Sequence, residues 1–285
     1  MRGKTPAGAL LLVVLCALGQ GIRSPYPWVQ HYDAERSIGS RIDPPAQYAR
    51  VEAPAGSFAA WLRGLPLKPG RPDVRLYDGR RKWNQRAHHA VLDLDVGEKN
   101  LQQCADAVLR LRCEYLYAQA RTEDLSFRFT SGDVANYGEW IRGVRPRVRG
   151  SAVTWSRGAE PGDSYEVFRG YLETLFMYAG TLSLARDVDA VADPAKLRIG
   201  DIFLEPGSPG HSVIVVDMAK RPSDGAGVFL LAQSFMPAQE MHVLRNPKDR
   251  CLSPWYPVDF GGTLKTPEWT FERSDLRRFK ESQTQ

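Results

Sequence analysis

The chain has 285 residues, of which 43% are hydrophobic and 25% charged, enough for one large globular domain or two small ones. Its formal net charge of +5 is too small to indicate nucleic-acid binding. The basic residues are also scattered along the chain, so we interpret basic runs such as residues 80–82 and 142–149 as solvated surface.

The N-terminus has the features of a secretory signal peptide. Arg2 and Lys4 form a short positive region, residues 9–18 are apolar, and Ala17-Leu18-Gly19 fits a small-x-small cleavage site. The apolar run is too short to span a bilayer as a helix. We therefore predict that residues 1–19 are removed on export, which leaves a periplasmic or secreted protein with no stable membrane span.

The remainder divides into an arm and a domain. Residues 20–46 are polar and contain four prolines, so they are predicted to form a linker or a loosely ordered arm. Residues 47–285 contain no internal repeat and no low-complexity tract, and are predicted to form a single globular α+β domain.

Two long helices are predicted in this domain. Residues 100–120 carry apolar side chains mainly on one broad face, with Asn100 as N-cap and Cys104 in the first turn. Residues 165–185 form a second helix that is rich in aromatic side chains. A short helix over residues 274–280 is predicted to close the chain.

The strands cluster in the stretch from Gly200 to Ser234. Residues 202–204, 212–217 and 228–232 are predicted strands, and the middle one is β-branched and almost entirely apolar, which indicates burial on both faces. Together with the helices, these strands predict an α+β fold in which a mostly antiparallel sheet packs against two long helices.

The cysteines constrain the disulfides. The mature chain keeps Cys104, Cys113 and Cys251, so at least one thiol stays unpaired within the chain. Cys104 and Cys113 lie nine residues apart on one predicted helix, too far to bridge directly. Any internal disulfide would therefore join Cys251 to one of these two.

Three residues in chain order have the chemistry of a thiol hydrolase. Cys104 near a helix N-terminus would be the nucleophile, His211 at the start of a buried strand the base, and Gln233 the group that orients the imidazole. The helix N-terminus would lower the pKa of the thiol, and Gln102 and Gln103 could supply oxyanion or substrate-binding donors. Helical periodicity alone favours a simpler role for Cys104, that of a small buried residue.

A resemblance supports the enzymatic hypothesis. Gly200-Asp201-Ile202-Phe203, followed by Gly210-His211-Ser212-Val213-Ile214-Val215-Val216, resembles a strand pair of the papain-like NlpC/P60 and CHAP envelope hydrolases. The resemblance implies a papain-like arrangement, with Cys104 as nucleophile and His211 as base. It also implies a substrate in the peptide or amide bonds of peptidoglycan, with no metal and no cofactor.

The mature chain further resembles an uncharacterised family of secreted bacterial proteins, a domain of unknown function. The motifs that carry this resemblance are Trp61-Leu62-Arg63 with Leu65-Pro66-Leu67, Leu101 to Val108, Pro209-Gly210-His211, and Leu231-Ala232-Gln233-Ser234. This resemblance implies a family relationship but no catalytic mechanism.

Two other classes of function remain open. A non-catalytic envelope-binding or structural protein would keep the fold and bury Cys104. A metal-dependent hydrolase would use His88, His89, Asp93 or His211, although these residues lack a tight ligand spacing.

Overall fold

A computed structural model describes residues 25–280. Six helices occur in this range: α1 (Ile38–Arg41), α2 (Phe58–Arg63), α3 (Cys104–Ala118), α4 (Tyr137–Ile141), α5 (Tyr165–Tyr178) and α6 (Thr181–Asp187). None of the helices in the described range is long and apolar enough to cross a membrane. The predicted signal peptide, residues 1–19, lies outside the described residues.

Nine strands form one antiparallel sheet. Its main path runs β2 (His88–Val91), β11 (His242–Leu244), β10 (Gly227–Gln233), β9 (His211–Lys220), β8 (Ile202–Glu205), β15 (Leu276–Phe279), β7 (Val188–Ala190). Two short strands join off this path, β1 (Ala49–Arg50) on β9 and β12 (Tyr256–Pro257) on β10. Three hairpins stand apart: β3 (Ser126–Arg128) with β4 (Val134–Asn136), β5 (Val144–Arg149) with β6 (Ala152–Arg157), and β13 (Thr263–Lys265) with β14 (Thr270–Glu272).

The sheet is covered on both faces, as the apolar β9 predicts. Alternate side chains point to opposite faces of a strand, so Ile214 and Val216 join the larger core on the helix side. Val213 and Val215 join a second core with Phe271 of the β13–β14 hairpin. β9 is therefore held between two apolar layers, and nine of its ten residues are buried.

The predicted packing of this sheet against two long helices is wrong. α3 does lie on β9 and β10, but α5 packs on α3 and α4. The aromatic face of α5 is consequently buried in a helical layer: Phe168 stacks on Tyr117 of α3, and Tyr171 lies edge-on to Trp140 of α4.

The second predicted helix is in fact two. α5 ends at Tyr178, Ala179 and Gly180 are extended, and α6 restarts at Thr181. The Gly180 amide donates to Ser183 Oγ at 2.9 Å, which satisfies a backbone group left free by the interruption. The first helix is also shorter than predicted, because it begins at Cys104 with Gln103, not Asn100, as N-cap.

The predicted closing helix is also wrong. Residues 276–279 form β15, which inserts between β8 and β7 through the pairs Leu276–Phe203 and Phe279–Val188. Pairing with both neighbouring strands stabilises these residues as a strand by more than their weak intrinsic preference stabilises a helix.

Residues 25–46 pack onto the domain instead of forming a loosely ordered arm. Tyr26 is buried and its hydroxyl donates to the Trp61 carbonyl at 2.7 Å, while Trp61 Nε1 donates to the Pro25 carbonyl at 2.7 Å. Ile38 and Ile42 lie in the main core.

The described cysteines are all free thiols. Cys104 and Cys113 are buried, whereas Cys251 is exposed. Neither pairing of Cys251 that the sequence left open is formed among the described residues.

Candidate active site

Cys104 lies at the point where α3 meets the sheet. It is the first residue of the helix and is only 5% exposed. Its Sγ lies 4.0 Å from the Gly210 carbonyl, directly before His211 at the start of β9. The helix start is fixed by Asp106, whose Oδ2 accepts from the Gln103 amide at 3.1 Å. The Asp106 carboxylate thus sets the position of the thiol.

The pKa of the Cys104 thiol is raised to about 11, mainly by burial and further by Asp106. The amides of Ala105 and Ser212 face the sulfur and lower the pKa, but they do not offset the burial. The expectation that the helix N-terminus lowers this pKa is therefore wrong in its net direction. At neutral pH the thiol keeps its proton and needs a base to become a nucleophile.

The sequence suggested His211 as a base, and the surroundings of this residue show which of its ring nitrogens carries the hydrogen. Its Nε2 lies 2.9 Å from Gln233 Oε1, which can only accept, so Nε2 carries the hydrogen. Its Nδ1 forms no hydrogen bond within the described part of the chain. The ring is enclosed by aromatic side chains, namely Phe235, Trp269 and Phe271. Burial lowers the pKa of His211 to about 4, so the imidazole is neutral at pH 7 with a free lone pair on Nδ1.

Gln233, at the end of β10, is oriented by a network that the sequence analysis missed. Its Nε2 donates to Glu268 Oε2 at 2.9 Å and lies 3.4 Å from His242 Nε2. Glu268 also accepts from Lys82 Nζ at 2.7 Å. Both partners of Gln233 Nε2 accept hydrogen bonds, which leaves Oε1 directed at His211. Lys82 and Glu268 therefore determine, through Gln233, which nitrogen of His211 is protonated.

Lys82 and Glu268 could not have been recognised from the sequence. Lys82 stands in a basic run that was interpreted as solvated, yet it is 3% exposed. Glu268 follows a proline in a short loop with no distinguishing local pattern. The aromatic enclosure by Trp269 was missed for the same reason.

A cavity of about 230 Å³ gives access to the cysteine. Three segments surround it: the start of α3, the junction between α5 and α6, and the loop that precedes β9. Thr181 Oγ1 donates to the Gly207 carbonyl at 3.1 Å and lies 3.2 Å from the Gly207 amide, which joins the last two segments. Met236 contributes an exposed apolar side chain to the rim. The interruption between α5 and α6 thus forms one wall of the approach to Cys104.

The two glutamines beside Cys104 have different environments. Gln102 is buried, its Oε1 accepts from Arg110 at 2.6 Å, and its Nε2 donates to the Asp95 carbonyl at 3.3 Å. Its side chain is occupied with structural contacts and does not line the cavity. Gln103 does line the cavity, where its Nε2 lies 3.2 Å from Asn100 Oδ1. Of the two glutamines, only Gln103 is placed to donate to a carbonyl that enters this cavity.

Three of the four residues considered for a metal site are either hydrogen-bonded to other groups or exposed on the surface. His88 Nε2 lies 3.0 Å from the Pro72 carbonyl, and His211 Nε2 lies 2.9 Å from Gln233 Oε1. Asp93 is exposed. Between residues 25 and 280, no group of three or more His, Cys, Asp and Glu side chains is arranged to hold a metal ion.

The chain was compared with protein families, curated proteins and solved structures. Residues 38–278 match the model of a family described as "Domain of unknown function (4846)". The curated proteins and the solved structures contain no significant match. The match covers α3, all the residues of the candidate site and the sheet except Phe279, and it confirms the expected membership of a family without a known function. The chain therefore belongs to the family described as Domain of unknown function (4846).

Proposed function

We propose that this protein is a thiol hydrolase that cleaves peptide or amide bonds of the cell envelope, with peptidoglycan as the substrate class. The observation that carries the proposal is the state of His211. Its Nε2 is bound to Gln233 Oε1 at 2.9 Å, and its Nδ1 keeps an unpaired lone pair. The backbone on both sides of this histidine contacts Cys104, through the Gly210 carbonyl and the Ser212 amide.

The reaction follows from these positions. Cys104 Sγ attacks the carbonyl carbon as its proton passes to His211 Nδ1, and the carbonyl electron pair moves to oxygen. The tetrahedral intermediate collapses, the C–N bond breaks, and His211 Nδ1 returns the proton to the leaving amine. Water then attacks the thioester with His211 again as base, which releases the acid and restores the thiol. Gln233 keeps Nε2 protonated throughout and stabilises the imidazolium.

The raised pKa of Cys104 and the lowered pKa of His211 indicate a neutral resting pair. A resting thiolate–imidazolium pair would require the opposite shifts. No hydrogen bond joins the two side chains in the described structure, and such contacts are often long in ligand-free enzymes. The chemistry therefore depends on general-base catalysis at the moment of attack.

Two sequence features support an envelope substrate. The first is the predicted signal peptide, which would deliver the chain to the periplasm or the exterior. The second is the resemblance of residues 200–216 to the NlpC/P60 and CHAP hydrolases, whose substrates are peptidoglycan peptides. Both bear on the substrate class, and the resemblance also implies Cys104 as nucleophile and His211 as base.

The test is digestion of purified peptidoglycan by residues 20–285, with soluble fragments identified by liquid chromatography and mass spectrometry. We expect Cys104→Ala to abolish release of fragments and His211→Ala to lower it by about 10²- to 10⁴-fold. Cys113→Ala is the matched control, because it removes a buried thiol from the same helix without touching the site. Retained cleavage by Cys104→Ala would exclude Cys104 as the nucleophile.

One observation favours the alternative of a non-catalytic envelope-binding protein. The thiol is almost fully buried and hard to ionise. On this alternative, wild-type protein co-sediments with peptidoglycan without releasing fragments, and Cys104→Ala co-sediments equally well. The same digestion therefore distinguishes the two functions.

A further inference from the structure

A second cavity, of about 880 Å³, lies beside strands β2 and β11. It is lined by residues that follow β11, by the segment that leads into β2, and by two loop positions. The lining residues include Arg71, Arg86, His89, Arg245, Arg250 and Ser253. Four of them are arginines and none is acidic. None of them belongs to the thiol site.

The four arginines lack the carboxylate partners that other arginines of this protein have. Among the described residues, no ion pair involves Arg71, Arg86, Arg245 or Arg250; Arg71 donates only to the His88 carbonyl, at 3.2 Å. The nearby Asp249 Oδ1 is occupied by the amides of residues 251 and 252. None of the four arginines is therefore held in an ion pair within the described part of the chain.

The charged residues of this cavity also shift one another's pKa values. The pKa of His89 is lowered to about 4 by burial and then by Arg245 and Arg71. The pKa of Arg245 is lowered by burial and by Arg71. Arg71 and Arg245 therefore influence each other's charge and that of His89, and a bound anion would relieve this repulsion.

The cavity also contains neutral donors and has a suitable size. Ser253 Oγ accepts from the Asn246 amide at 3.1 Å, which leaves the hydroxyl proton free to donate. Guanidinium groups bind phosphate oxygens in bidentate fashion. Binding sites for drug-sized molecules measure about 300–1,000 Å³, so the volume suffices for more than a single ion.

We propose that this cavity binds a phosphate-bearing ligand with two or more negative charges. Four guanidinium groups match an anion whose charges are spread over several oxygens better than a single carboxylate. The phosphate can belong to a soluble compound or to the headgroup of an anionic phospholipid, and the chemistry of recognition is the same. This site is independent of the hydrolase proposal.

The test uses residues 20–285 and pyrophosphate as the probe, with isothermal titration calorimetry in 0.15 M NaCl. We expect saturable binding by the wild type and a loss of affinity of about tenfold or more in Arg245→Gln/Arg250→Gln. The matched control is Arg147→Gln/Arg149→Gln, which removes the same charge from exposed positions on β5. Its affinity should stay within about twofold of the wild type, because distant surface charges are screened at this ionic strength.

Two results would overturn the proposal: no binding of pyrophosphate by the wild type at millimolar concentration, or equal weakening in both double variants. The exposed single variant Arg250→Gln provides the same comparison if the double variant does not fold. Co-sedimentation with phosphatidylglycerol vesicles, with phosphatidylcholine vesicles as the control, shows whether the phosphate belongs to a lipid headgroup or to a soluble compound. Binding to phosphatidylglycerol that requires Arg245 and Arg250 supports a headgroup, and binding of pyrophosphate alone supports a soluble ligand.

Discussion

Replacing Glu268 by glutamine should strongly destabilise the folded protein, because Glu268 is the only carboxylate that Lys82 Nζ contacts among the described residues. The two side chains are 3% and 7% exposed, and their charged atoms lie 2.7 Å apart. Glu268 also accepts from Gln233 Nε2 at 2.9 Å and Asn84 Nδ2 at 3.2 Å. A glutamine offers one oxygen where the carboxylate offers two, so one of these donors loses its acceptor.

The magnitude follows from the geometry. At an effective dielectric constant of about 20, unit charges 2.7 Å apart attract by about 6 kcal/mol. Desolvation consumes much of this attraction, and removing one member of a buried pair costs about 3–5 kcal/mol, since the other charge stays buried alone. For a domain of this size, such a loss lowers the melting temperature by about 10 °C. Burial already lowers the pKa of Lys82, and loss of Glu268 would lower it further.

The assay is thermal and urea unfolding of Lys82→Met, Glu268→Gln and the double variant. Because the double variant buries no lone charge, its free energy of unfolding should exceed the additive expectation by about 2 kcal/mol. Lys99 and Glu173 are the matched control, with the same 2.7 Å separation but 61% and 46% exposure, so Glu173→Gln should cost less than about 1 kcal/mol. Strict additivity of the Lys82 and Glu268 variants would refute the reasoning.

Two further predictions concern the candidate site. Iodoacetamide at pH 7.5 should alkylate the exposed Cys251 before Cys104. The rate of alkylation at Cys104 should rise as the pH approaches its pKa of about 11. Peptide mapping that finds Cys104 alkylated first would contradict this expectation. Gly210→Ala should destabilise by about 1–3 kcal/mol in urea unfolding, because its Cβ would lie 2.5 Å from Thr181 Oγ1 and 2.7 Å from the Gly207 amide. Gly180→Ala, whose Cβ meets nothing within 4 Å, is the control, and an equal effect of the two changes would be the contrary result.

Local sequence patterns were sufficient to predict the buried strand at the centre of the sheet. The continuous apolar run of residues 212–217 predicted burial on both faces, and the two apolar cores confirm it. The chain positions of His211 and Gln233 also sufficed to suggest a pair, because each stands at the end of a strand and β9 and β10 are neighbours. When two antiparallel strands are neighbours, the start of one lies close to the end of the other, whatever the sequence between them.

The remaining features depend on contacts between distant parts of the chain. Lys82 and Glu268 are 186 residues apart, and no local pattern marks either as buried. Backbone amides at the helix N-terminus do lower the pKa of Cys104, but burial, which no local pattern shows, raises it by more. The aromatic stripe of α5 predicted a buried face without indicating that the partner is α3 and not the sheet.

The position of β15 has a consequence for the order in which the protein is made. Residues 276–279 occupy an interior place in the sheet, between β8 and β7, although they come late in the chain. Glu268 and Trp269, which surround Gln233 and His211, also come late. Because synthesis proceeds from the N-terminus, a ribosome-bound chain has Cys104, His211 and Gln233 before it has the residues that arrange them. The nascent polypeptide therefore carries the reactive groups before it carries the residues that give them their working geometry.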